Sequence, residues 1–306
     1  MDHRPIGSLR ASVVGLGCNN FGARLDQDQT QLVVDAAIDA GINFFDTADI
    51  YGGTKSESFL GRALGRRRGE VLIASKFGMP IDAEHFGARP EYVRQACEDS
   101  LARLGTDHID LYQLHAPDAT VPIADTLGAL DELVSAGKVR EIGCSNLSVD
   151  QLREAKAAAG DGPKFVSIQN QYSLMWREPE RDGVLAECDN LDMGFLPFYP
   201  LANGLLTGKV RPGEPIPEGT RLAMMPPERS KHWLSEEFFD RVGELLTYAE
   251  EIEIPILHLA FSWLLSHSRV ASVIAGASKP DQVRANVAAV RELPADVIAR
   301  LNQITG

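Results

Sequence analysis

The chain has little that would tie it to a metal, a membrane or a nucleic acid. It has four cysteines, Cys18, Cys97, Cys144 and Cys188. None pairs as C-x-x-C and no Cys/His cluster has zinc spacing, so free thiols in a reducing compartment are expected. Neither H-x-H nor H-E-x-x-H occurs among the seven histidines, and no metal is expected. No apolar run approaches the ~18 residues of a membrane span. The start, MDHRPIGSLR, lacks the apolar stretch of a secretory signal. A cytoplasmic location without membrane insertion is therefore expected. Positive charge is in the minority: 30 Lys and Arg face 43 Asp and Glu, for a net charge of −13. A nucleic-acid partner would need a basic face. The spacing G-x-G-x-x-G is missing from GLGCNNFG after the first strand-like run, which argues against an open doubly wound sheet.

What is present is alternation. ASVVGLG (11–17) precedes the helical pattern TQLVVDAAIDAG (30–41), and NFFDTA precedes SESFLGRALG (56–65). VLIASKFG precedes PEYVRQACEDSLARLG (90–105), and IDLYQLHA precedes IADTLGALDELVSAG (123–137). REIGCSN leads to a capping box, Ser148-x-x-Gln151, at the head of SVDQLREAKAAAG. FVSIQNQ precedes DGVLAECDNLDMG (182–194), FLPFYP leads on to PILHLAFSWLLSH (255–267), and SVIAGAS (272–278) to a last helix, PDQVRANVAAV. Alternating strands and helices imply a parallel sheet covered by helices. Eight such units imply a closed α/β barrel, (β/α)8, as one domain over residues 1–306. Residues 203–235 hold Pro212, Pro215, Pro217, Pro226 and Pro227 without strong periodicity, and read as a long loop over a ligand.

Polar residues end the apolar runs, on the face where barrel active sites lie. Asp46 and Tyr51 stand in NFFDTADIYGG, Lys76 in VLIASKFG and His115 in IDLYQLHAPD. Their chemistry is complementary. A free Tyr, with a pKa of about 10, is a poor acid at neutral pH. A nearby ammonium favours the phenolate and lowers that value. An Asp can hold the Lys, and a His can orient a carbonyl oxygen beside the phenol. Together they make a general acid for a developing alkoxide.

These residues and the words around them resemble the aldo-keto reductase family, whose tetrad is Asp, Tyr, Lys and His. DELVSAGKVREIGCSN (131–146), FVSIQNQYS (165–173), PLANGLLTGK (200–209) and GASKPDQVRAN (276–286) are family words in family order. The resemblance implies the barrel and a nicotinamide cofactor. It makes Tyr51 the proton donor, Lys76 its tuner, Asp46 the partner of Lys76, and His115 the residue that orients the substrate. Ser145, Asn146 and Gln169 match residues that bind the nicotinamide carboxamide, an amide that needs donors and acceptors together. Where relatives read A-Y-S-P-L with a stacking Tyr, this chain reads P-F-Y-P-L, and Phe198 takes the stacking place. Leu201 and Gly204, with Lys209 and Arg221, are the pyrophosphate candidates. Gly276, Ser278, Gln282 and Asn286 fall at the adenosine end, and Ser278-x-x-Asp281 reads as a helix start whose N–H groups suit a phosphate. Many relatives carry Arg where Ser278 stands. Lys279 and Arg284 still favour NADP(H) on charge grounds, with NAD(H) possible.

The expected activity is reduction of an aldehyde or ketone. The alternatives are an aldose or alcohol dehydrogenase running in the oxidative direction, and a regulatory subunit like the potassium-channel beta subunits of the same family. The expected partner is a small carbonyl or sugar substrate, and the expected state a monomer or weak oligomer. Candidate pocket walls are Asn20, Phe21, Met79, Phe86, Met175 and Trp176.

Overall fold

In a computed structural model of the chain, eight short apolar runs pair as one parallel sheet. The structure describes residues 1–306, apart from the side chain of Arg229. The strands are β1 (Val14–Gly17), β2 (Phe44–Asp46), β3 (Leu72–Phe77), β4 (Ile109–Leu114), β5 (Val139–Ser145), β6 (Ser167–Gln171), β7 (Gly194–Phe198) and β8 (Val273–Gly276). They are hydrogen-bonded in chain order, with β8 beside β1. Between β7 and β8 the ring is joined by the bridge of Phe195 to Val270. There the Phe195 N–H donates to the Arg269 carbonyl at 2.7 Å, and the Ala271 N–H to the Phe195 carbonyl at 2.9 Å. The result is the nearly closed single-domain (β/α)8 barrel that the alternation implied.

The strands are buried on both faces, as all-parallel strands are. β4 is buried from end to end. Inside the barrel, Phe44, Ala74, Leu111, Leu196 and Ile274 pack with Ile6 and Leu9 of a hairpin, His3–Ile6 paired with Leu9–Ser12. This hairpin was not legible in the ASVVGLG run, which the structure divides between hairpin and barrel. Asn43 holds the division: its side chain accepts from the Ser12 amide at 2.7 Å and donates to the Arg10 carbonyl at 3.0 Å.

Helices cover the outside. The capping box expected at Ser148 is present, with a second at Asp26 and Gln29. Four α-helices went unread in the sequence, the first being the single turn Glu178–Arg181. Pro227–Trp233 lies inside the proline-rich stretch. Glu236–Glu251 buries Phe238, Val242, Leu245, Leu246 and Ala249 along one stripe. Ala295–Thr305 follows Pro280–Ala288, so the latter is not the last helix.

Candidate active site

Side chains inside the barrel turn polar toward the C-terminal end. On β3 the inward residues are Ala74 and then Lys76; on β4 they are Leu111 and then Gln113, which is in register with Lys76. Lys76 is fully buried, and each of its three N–H donors has an acceptor. Nζ donates to Asp46 Oδ2 at 2.7 Å, to the Thr47 carbonyl at 2.8 Å and to the Tyr51 hydroxyl at 3.4 Å. The other oxygen of Asp46 accepts from Gln169 Nε2 at 2.8 Å and Gln113 Nε2 at 3.4 Å. Burial works against the Lys76 charge. Asp46, with help from Tyr51, outweighs burial and holds the ammonium above the ordinary lysine value.

Tyr51 shows the opposite balance. Burial raises its pKa above the ordinary value, and the ammonium of Lys76 offsets this only in part. The expectation that Lys76 would leave the phenol more acidic than a free tyrosine is therefore corrected. Lys76 pulls in the expected direction, but desolvation is larger. The turn after Tyr51 requires glycine: Gly52 has φ +61°, and a Cβ there would stand 2.2 Å from the Phe21 carbonyl. The His115 ring meets Tyr51 edge-on at 5.8 Å between centroids. Burial, aided by Lys76, lowers His115 to about 3. Its Nδ1 is buried without a partner. A group with its pKa near 3 is neutral at every pH well above that value. Imidazole nitrogen shifts should therefore report a neutral His115 ring from about pH 5 to about pH 9. A protonation step for this ring within that range would contradict the burial argument.

A cleft of about 780 Å³ opens beside Asp46, Tyr51 and His115. It runs past Ser145, Asn146, Gln169, Phe198, Leu201, Gly204, Lys209 and Arg221 to Gly276, Ser278, Gln282 and Asn286. The structure thus brings the cofactor-site candidates onto one surface, with Lys76 buried behind it. Ser145 donates to the Gln169 carbonyl at 2.6 Å. Asn146, at φ +62°, donates from Nδ2 to the His115 carbonyl at 3.0 Å. The backbone after β7 is unusual: Tyr199, Ala202 and Asn203 all have positive φ, and Gly204 has φ +106° with open space at its Cβ position. Asn203 is buried with its side-chain oxygen unpartnered, and it lines the cleft.

Some expectations are corrected. Phe21 and Met175 belong to the apolar core, and Phe86 is exposed with the Arg89 guanidinium over its ring. None of the three lines the cleft, which Asn20 and Met79 do; Trp176 lines an adjoining bay with Asn20. Ser278 is not the helix cap. The helix starts at Pro280, and the Ser278 N–H and hydroxyl both donate to Gln282 Oε1. Arg284 is paired with Asp281 at 2.8 Å, which leaves Lys279 as the cation of that segment on the cleft wall. Gln113 and Asn203 were missed. A Gln on the face of IDLYQL that otherwise carries Ile109 and Leu111 was the signal for the first.

Residues 13–305 match the aldo/keto reductase family. The chain belongs to this family. A probable voltage-gated potassium channel subunit beta of Oryza sativa is 31% identical, with 96% of this chain and 92% of that protein covered. A probable aldo-keto reductase of Glycine max is 34% identical over 92% of this chain and 82% of its own length. Among solved structures, an aldo-keto reductase from Bacillus halodurans in its holo form superposes with a TM-score of 0.83 at 32% identity, covering 100% of this chain and 97% of that one. The aldo-keto reductase family carries out oxidoreduction with nicotinamide cofactors. Among the described residues no acid, His or Cys cluster could hold a metal, and no helix is long and apolar enough to cross a membrane.

Proposed function

We propose that the protein reduces an aldehyde or ketone with NADPH, Tyr51 giving its proton to the carbonyl oxygen. One observation carries this reading: the Tyr51 hydroxyl faces the cleft 3.4 Å from a fully buried ammonium. When bound, the nicotinamide cofactor supplies the hydride. Burial keeps Tyr51 protonated at neutral pH, so the proton is in place before reaction. Lys76 then stabilises the phenolate that remains, and Asp46 keeps Lys76 charged. Neutral His115 turns a ring nitrogen to the carbonyl and fixes its direction. The substrate class is a small carbonyl compound or a sugar, and the same groups serve alcohol oxidation in reverse.

The residues present fit the cofactor. The orphaned oxygen of Asn203 and the open backbone at Gly204 suit a ligand that brings its own donors and phosphates. In this reading Ser145, Asn146 and Gln169 hold the carboxamide and Phe198 lies on the nicotinamide face. Leu201, Gly204, Lys209 and Arg221 flank the pyrophosphate. Gly276, Ser278, Gln282 and Asn286 receive the adenosine. Lys279 favours the 2′-phosphate, and hence NADP(H) over NAD(H).

NADPH titration should quench Trp fluorescence with micromolar affinity, about −8 kcal/mol. If neither NADPH nor NADH bound at millimolar concentration, the reading would fall. NADH binding at least as tightly as NADPH would remove only the 2′-phosphate assignment. A second reading, a cofactor-bound regulatory subunit, has the channel-subunit relative from Oryza sativa behind it. NADPH consumption with a panel of aldehydes, ketones and aldoses separates the two.

A further inference from the structure

Beside the cleft lies the bay that Trp176 lines, a second cavity of about 700 Å³. The two meet along a seam that includes Asn20, Tyr199, Asn203 and Arg221. Of the residues fitted above to the cofactor, the bay shares only Asn203 and Arg221. Beyond the seam its walls include Trp176, His232, Trp233, Met225 and Pro226, with Gln171 as the one amide among the described residues. Gln171 ties the bay to the reaction centre. It stands two residues past Gln169 on β6, on the same face and about 7 Å further along the strand. Gln169 holds Asp46, and Gln171 is in register with Phe198. The Phe198 and Tyr199 rings meet edge-on at 5.1 Å, so the seam begins at the ring that lines the cleft.

The aromatic corner of the bay is held from behind. Ser173 and Trp176 exchange two backbone hydrogen bonds of 3.0 Å, which close the loop after β6 into a tight turn. Arg177, next in the chain, donates to both oxygens of Glu180 at 2.8 and 2.5 Å and to the Thr305 hydroxyl at 3.1 Å. Its guanidinium lies 5.1 Å from the centre of the Trp263 ring. Trp233, at the end of the helix Pro227–Trp233, meets Trp176 at 6.4 Å between centroids, and Phe238 packs against it at 5.4 Å. Polar groups on the seam are already engaged. Asn20 Nδ2 donates to the Ala277 carbonyl at 3.1 Å. Arg221 donates to the Tyr199 hydroxyl at 3.1 Å, with its guanidinium 4.7 Å above that ring. A sugar placed in the bay would exchange water for indole, thioether and proline surface, and its hydroxyls would go unpaired. A flat apolar ring gains burial and ring contacts there. A cavity of this size suits a body of drug-like bulk, larger than a three- or four-carbon chain.

We propose that the bay receives the body of the substrate, that this body is a flat apolar system of two or more fused rings, and that Trp176 selects it. The proposal rests on the reading of the protein as a carbonyl reductase. It narrows the substrate class from a small carbonyl compound or a sugar to a bulky aromatic aldehyde or ketone. The carbonyl lies at Tyr51, and the rings run past Tyr199 onto the corner of Trp176 and Trp233.

The test uses the NADPH-loaded protein, with 2-naphthaldehyde, propanal and D-xylose as substrates. A product alcohol, 2-naphthalenemethanol, serves as a binding probe, read by the anisotropy of its own fluorescence. The wild type should take 2-naphthaldehyde with a KM at least about tenfold below those of propanal and D-xylose. In Trp176→Ala, kcat/KM for 2-naphthaldehyde relative to propanal should fall about tenfold, mainly through KM, and Trp176→Phe should keep most of the wild-type ratio. The naphthyl alcohol should bind Trp176→Ala about tenfold more weakly than wild type. A wild type that takes D-xylose with a KM as low as that of 2-naphthaldehyde would overturn the proposal. So would a loss in Trp176→Ala equal for both aldehydes, which marks a structural role, or unchanged binding of the naphthyl alcohol. The wild-type comparison decides the matter if Trp176→Ala does not fold. The binding measurement needs no turnover, so it stands apart from failure of the Tyr51 reading, which is seen as turnover kept in Tyr51→Phe.

Discussion

Tyr51→Phe is expected to lower carbonyl-reduction turnover by at least about 100-fold, the lower bound for a general acid–base group. NADPH affinity should stay within a few fold. The substitution removes one oxygen and keeps the ring. The ring's edge contact with His115 and the Lys76 ammonium 5.0 Å from its centroid both survive. The bond lost is the longest of the three that Lys76 makes, so the fold should be little disturbed. Turnover and fluorescence titration on the same preparation check both halves. Full turnover in Tyr51→Phe would assign the proton to another donor.

Lys76→Met is expected to cost both turnover and stability. Lys76 and Asp46 form a buried pair, with side chains 0% and 5% exposed. Removing one partner of such a pair typically costs about 3–5 kcal/mol, because the other charge is left uncompensated in a poorly solvated place. Gln113 and Gln169 still donate to Asp46 Oδ1 and offset part of this loss. Denaturant midpoints of Lys76→Met should therefore drop relative to wild type at neutral pH. A midpoint equal to wild type would mean that Asp46 finds compensation elsewhere. Asp46→Asn should reduce turnover more mildly, since it frees Lys76 without stranding a charge.

The tetrad was legible because each member ends or follows an apolar run, and parallel strands deliver such residues to one face. The order of strands around the barrel was legible for the same reason. Energetics were not. Sequence shows that a Lys stands near a Tyr, and it does not show that burial outweighs the Lys. Gln113 went unread because a polar residue amid the apolar ones of IDLYQL looks like a tolerated exception; in the barrel it reaches Asp46. Phe21 and Met175 were read as pocket walls because they follow strands, yet their side chains turn into the core. Helix Glu236–Glu251 carries a plain apolar stripe, and it lies just beyond the 203–235 stretch read as a loop, in residues to which the alternation assigned no element.

The most direct test of Tyr51 as a lysine-tuned acid is the pH dependence of alcohol oxidation in wild type and Lys76→Met. In this direction Tyr51 must accept a proton, so the rate rises with pH toward the pKa of the phenol. Burial and Lys76 pull on that pKa in opposite directions, and removing Lys76 leaves burial unopposed. The account predicts that the residual activity of Lys76→Met rises only at higher pH than that of wild type. An unshifted profile with activity intact would show that Lys76 does not tune Tyr51 and would contradict the account.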